Sequence, residues 1–152
     1  MSATASDPAA ACAPAASGAL RVLGVKVLTG RLVCEVQVPD ERFRLTTPAL
    51  AARAVAAFPD LPNHSCVNGE GRTFGAVMDR TSLPHMLEHL CIDLQVAGAA
   101  DGAQSFTGTT EWTDRATGTA RIQLSFCDDL VALRAFNEAV RFLNDAVVTC
   151  YP

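Results

Sequence analysis

Apolar and polar residues alternate through "ALRVLGVKVLTG" (19–30) and again through "RLVCEVQVPD" (31–40). A period of two puts successive side chains on opposite faces of a strand. With Thr29-Gly30 as the turn between the runs, the segment reads as a β-hairpin. The period then changes. Thr47 stands as an N-cap before Pro48, and Ala and Leu continue to Pro59, a helix of about three turns. Residues 63–80, "NHSCVNGEGRTFGAVMDR", have little periodicity and read as a loop turning back towards the core. Ser82 or Thr81 caps a second helix, with Pro84 in its first turn and an end near Gly98. Its packed face is Leu83, Met86, Leu87, Leu90 and Leu94. "QSFTGTTEWT" and "GTARIQLSFC", joined by "DRATG", form a second pair of strands in which Trp112 is a packing residue. Asp128 or Asp129 caps the last helix, "LVALRAFNEAVRFLNDAV", whose Phe136, Val140 and Leu143 belong to the core. The order ββααββα predicts an α+β fold, an antiparallel sheet with helices packed on one side. Residues 1–18, rich in Ala, Ser and Pro, are expected to be a disordered tail before one domain over 19–152.

Composition narrows the function. The chain has 152 residues, 49% hydrophobic and 18% charged, as a globular domain should. The formal net charge is -4 with no basic block, so no nucleic-acid partner is expected. No apolar run is long enough to span a bilayer, which argues against a membrane. The start lacks the basic region of a signal peptide, and a cytoplasmic location is the default expectation. In that setting the six cysteines read as thiols, most of them small buried residues. Asp79 and Arg80 read as a surface ion pair.

The candidate chemistry lies in "SLPHMLEHLCIDLQ" (82–95). Residues i and i+4 of a helix share a face, so His85 and His89 can direct two imidazoles at one ion. Glu88 lies beside that face, placed to take a proton from a water activated by the metal. This is the H-x-x-E-H order of inverted zincins. The chain has three histidines, and all fall between residues 64 and 89. The competing reading is an ordinary helix with two structural histidines.

A catalytic zinc wants a third protein ligand and an open position. The candidates are Cys66 and His64 in the "HSC" loop, Glu111, Cys127 and Glu138. Thiolate is a strong zinc ligand and the loop directly precedes the helix, so Cys66 is preferred, then His64, then Glu111. In this scheme Cys66 ligates while His64 supports a ligand from behind.

From residue 57 onward, about two-thirds of the chain resembles the amino-terminal domain of cyanophycin synthetases, the ATP-dependent ligases that build an Asp-Arg polymer. The resemblance rests on "AFPDLPNHSC", "GEGRTF" and "SLPHMLEHLCIDLQVAG", then on Phe106 to Glu111 as F-x-G-T-x-E, Gly118 in a turn, and a last helix from near Leu130. It implies binding of an Asp-Arg polymer or peptide, or its metal-dependent hydrolysis, with His85, Glu88, His89 and Cys66 as the site. Thr109 and Glu111 are kept from the family's strand motif as substrate candidates. The 152 residues hold no ATP motif, so polymer synthesis by this chain alone is not expected. Two family arginines flanking that threonine are replaced by Gly108 and Thr110. Such arginines would pair with carboxylates, and their loss points to altered specificity. S-ribosylhomocysteine lyase shares the helix motif with a later cysteine ligand, for which Cys127 is the analogue. Pitrilysin-type peptidases share it with a later glutamate.

Three functions follow in order of preference. The first is a zinc-dependent hydrolase of a peptide or amide bond, with Glu88 as base. The second is a non-catalytic peptide- or polymer-binding module. The third is a zinc-dependent lyase. A homodimer formed through a sheet edge is a further expectation.

Overall fold

Two hairpins supply the sheet in the computed structural model, which describes residues 18–100 and 104–152. Apart from Gly18, the tail expected over 1–18 lies outside the described residues. Strands β1 (Arg21–Leu28) and β2 (Arg31–Gln37) close through Gly30 at φ 71°, and β3 (Gly108–Asp114) and β4 (Thr119–Ser125) through Gly118 at φ 73°. Glycine takes this left-handed region without a Cβ clash. Among the described residues the sheet order is β1-β2-β4-β3, with every neighbouring pair antiparallel.

The register puts one apolar row on one face. Leu32 pairs with Leu124, Cys34 with Ile122 and Val36 with Ala120, and all six are fully buried. Burying a side chain such as Ile or Leu contributes about 1.5–3 kcal/mol, so a one-residue slip of either central strand would forfeit several such contributions at once. The opposite face is polar, with Arg121 3.1 Å from Glu35 and 3.7 Å from Glu111.

Among the described residues three α-helices complete the core: α1 (Pro48–Ala57), α2 (Leu83–Gly98) and α3 (Asp129–Cys150). Each starts on a side-chain cap. Thr47 Oγ1 accepts from the Leu50 amide at 3.2 Å, Ser82 Oγ from His85 at 3.2 Å, and Asp128 Oδ1 from Leu130 at 2.9 Å. Helix α2 lies against β3, β4 and α3. It buries Glu88, His89 and Gln95 along with its apolar residues, because it is covered on more than the one face that apolar periodicity predicts. The α+β architecture and the order ββααββα agree with the sequence pattern. Strand β3 starts at Gly108, later than the alternating run suggests. Before it, the Thr107 carbonyl accepts from the Ser125 amide at 2.9 Å. Among the described residues no helix is long and apolar enough to cross a membrane.

Candidate metal centre

The loop before α2 is folded back on itself. The Asn68 side chain accepts from the amides of Glu70 at 2.9 Å and Gly71 at 2.8 Å, an Asx turn that reverses the chain. Ser65 and Thr73 then pair as an antiparallel bridge, the Cys66 amide donates to the Arg72 carbonyl at 3.1 Å, and the Phe74 amide to that of His64 at 2.8 Å. This small reversal delivers His64, Cys66 and Phe74 to the start of α2. Phe74 is fully buried, stacked on the His89 ring at 4.0 Å and edge-on to His85 at 5.1 Å. It fixes both imidazoles from one side.

Cys66 Sγ lies 3.5 Å from His85 Nε2, and one ligand atom from each of Cys66, His85 and His89 falls within 4.8 Å of the others. Ligands of a tetrahedral zinc, with bonds of about 2.0–2.3 Å, stand about 3.3–3.8 Å apart. The thiol and two imidazoles therefore have the chemistry and nearly the spacing of a three-ligand site, and the cluster could bind a metal ion.

The outer nitrogens are held too. His85 Nδ1 is 2.8 Å from Thr81 Oγ1, His89 Nδ1 is 3.2 Å from His64 Nδ1, and His64 Nε2 is 3.1 Å from Asp93 Oδ1. In the chain from His89 through His64 to Asp93, neutral rings fix the donors. A carboxylate only accepts, so His64 Nε2–H donates to Asp93. His64 Nδ1 must then accept from His89 Nδ1–H. That chain leaves the His89 Nε2 lone pair free, and that of His85 is free when the Thr81 hydroxyl accepts from His85 Nδ1–H, the outer support a metal site needs. Burial pushes the His85 pKa down. Burial, then the neighbouring His85 and His64, take that of His89 down to about 3. Both rings thus stay neutral, the form that ligates.

Glu88 lies on the same cavity of about 580 Å³, which the His85, His89 and Cys66 side of α2 shares with residues 106–110. Thr110 Oγ1 donates to its Oε2 at 2.5 Å. Burial raises the Glu88 pKa, and the Thr110 bond partly opposes the shift. A Cβ at Gly108 would come within 2.8 Å of Glu88 Cγ and Oε1, so glycine there is what admits the carboxylate.

The remaining sequence candidates separate. His64 stands behind His89. Thr109 borders the cavity, but its position in β3 alternates with Gly108 and Thr110, which face the helices. Glu111 is a correction. The same alternation turns it to the outer face, where it pairs with Arg121 at 3.7 Å. Cys127 is exposed and lines a different cavity, beside Gln95 and Val131. Glu138 is exposed on α3. Neither joins the cluster. Asp93, Thr81, Phe74 and the pair Gly108 and Thr110 were missed as site residues. Of these, Asp93 had a readable signal, since it continues the row His85, His89 by another four residues.

A four-stranded antiparallel sheet carrying a helix with two clustered histidines, a loop cysteine and a buried glutamate defines an α+β domain with a candidate metal centre. The family model of the cyanophycin synthase-like N-terminal domain matches residues 33–148, and the chain belongs to that family. No curated protein matches it.

Proposed function

We propose that this chain is a zinc-dependent hydrolase of a peptide or amide bond, acting on an Asp-Arg polymer or a related peptide. The observation that carries the reading is the meeting of Cys66, His85 and His89 within 4.8 Å on the cavity that Glu88 also lines. Cys66 and the two Nε2 atoms would hold the ion. When bound, zinc supplies the charge that polarises a carbonyl and lowers the pKa of water towards neutrality. Glu88 accepts a proton from the attacking water and returns it to the leaving nitrogen. Its raised pKa suits both halves of that transfer. Thr110 holds Oε2, leaving Oε1 as the oxygen that moves the proton.

The test begins with metal analysis of protein purified without chelator. About one zinc per chain is expected, falling to background in the His85→Ala, His89→Ala double variant. Glu88→Gln should keep the metal and lose hydrolysis of Asp-Arg polymer and of short peptides. Hydrolysis that survives Glu88→Gln would remove it as the base, and absence of metal under all conditions would end the reading. A second reading, a metal-free binding module, is favoured by one contact. At 3.5 Å the Cys66 thiol can donate to His85 Nε2 with no ion between them. Metal content separates the two.

A further inference from the structure

The ladder between β3 and β4 fixes which main-chain groups of β3 are committed. The Ser125 amide donates to the Thr107 carbonyl at 2.9 Å, and Thr109 and Glu111 stand opposite Gln123 and Arg121 in the same register. Antiparallel pairs alternate between hydrogen-bonded and non-hydrogen-bonded, so Thr107, Thr109 and Glu111 turn their N–H and C=O groups towards β4. Gly108 and Thr110, opposite Leu124 and Ile122, turn theirs away from it. The sheet order leaves β3 at an edge, and among the described residues no other main chain pairs with these groups. An edge with free amides and carbonyls is a template for another strand.

This open stretch is also the wall of the candidate site. Gly108 and Thr110 line the cavity of His85, Glu88 and His89, with Glu88 packed directly against both. The described lining includes no lysine or arginine, and Glu88 is its one acidic residue. Charged side chains therefore give little hold on a ligand here, and the main chain of β3 offers a regular one.

We propose that the ligand is an extended peptide backbone that joins the sheet as a fifth strand along β3, bonded to the N–H and C=O groups of Gly108 and Thr110. That places a ligand amide bond beside Glu88 and the Cys66, His85, His89 cluster. Recognition then depends on an extended backbone with free amides more than on the charge of its side chains. The inference deepens the hydrolase reading by naming how its substrate is held, but strand addition does not require that hydrolysis occur.

The test uses the full chain without metal and N-acetyl-penta-alanine amide as the probe, so that it does not depend on catalysis. In an NMR titration, the Gly108 and Thr110 amides should shift and exchange more slowly with solvent, while those of Thr109 and Glu111 change little. The fully N-methylated pentamer, which lacks the N–H donors and cannot approach as closely, should bind at least tenfold more weakly. Equal affinity of the two pentamers would overturn the proposal. So would shifts that map to β1, no binding at millimolar peptide, or a concentration-dependent dimer that pairs β3 with a second copy of the chain. Loss of hydrolysis in Glu88→Gln with these shifts intact would leave both readings standing. Shifts without any hydrolysis by the zinc-loaded chain would retain strand addition alone.

Discussion

The hairpins β1–β2 and β3–β4 each turn on a glycine in the left-handed region, at φ 71° and 73°, and each gives the sheet one central and one edge strand. Both edge strands carry a bulge, between Val22 and Gly24 in β1 and between Trp112 and Asp114 in β3. They differ in what lies beside them. Strand β1 exposes Val22, Leu23, Val27 and Leu28, and a Cβ placed on its Gly24 would meet nothing within 4 Å. Strand β3 lies against α2, and a Cβ on its Gly108 would meet Glu88 at 2.8 Å. Near-identical local construction thus gives a bare edge in one place and the wall of a candidate site in the other. The neighbouring helix, not the strand, makes the difference.

The largest effect should come from the two central strands, β2 and β4, one from each hairpin. Ile122→Ala, at the centre of β4 and fully buried, should cost about 2–5 kcal/mol in denaturant unfolding. Leu23→Ala, on β1 and half exposed, should stay within about 0.5 kcal/mol. Similar losses at the two positions would mean that the β1 edge is covered as the central strand is.

Acid should expose the site side of the molecule. His89 has a folded pKa of about 3, below its ordinary 6.5, so the unfolded chain binds the extra proton. Its contribution is complete above pH 6.5 and is lost as pH falls towards 3. Glu88 acts the other way, because its pKa is raised. Its contribution is complete at low pH and lost as pH rises through the folded value, which softens the acid loss without changing its sign at first. Metal-free protein should therefore unfold at lower urea at pH 5 than at pH 7, and His89→Gln should flatten that slope. An unchanged slope in the variant would show that His89 is not the responsible group.

The two glycines offer a matched pair with a smaller effect. Gly24→Ala should be neutral or stabilising by up to about 1 kcal/mol, since it stiffens the unfolded chain and meets no neighbour. Gly108→Ala should destabilise by about 1–3 kcal/mol, because the new methyl forces Glu88 aside. Thermal melts of the two variants measure the difference directly. Equal melting temperatures would break the distinction between the edges.

Much of the fold was legible because it is written in local periods. Alternation gave both hairpins, and Thr47, Ser82 and Asp128 marked the helix starts through hydroxyl or carboxylate groups that satisfy orphan amides. The facing of His85 and His89 was equally local, since one helical turn aligns residues four apart. Glu111 misled because a strand motif does not say which of its two faces meets the helices. The register with β4 decides that, and it puts Thr110 on Glu88 and Glu111 on Arg121. Thr81 illustrates a related ambiguity. It competes with Ser82 as a cap, but its hydroxyl is used on the His85 ring.

The sequence by itself determined the strands, the helices, their caps and the pairing of two histidines on one face of α2, because each follows from backbone geometry repeating over a few residues. Only the tertiary structure decided that the 64–74 reversal carries Cys66 to 3.5 Å from His85 and sets His64 between His89 and Asp93. It alone set Gly108 and Thr110 against Glu88. These contacts join segments separated by 19 or more residues. No local period specifies such contacts; they arise when burial of the shared core fixes loop, helix and strand edge in one place.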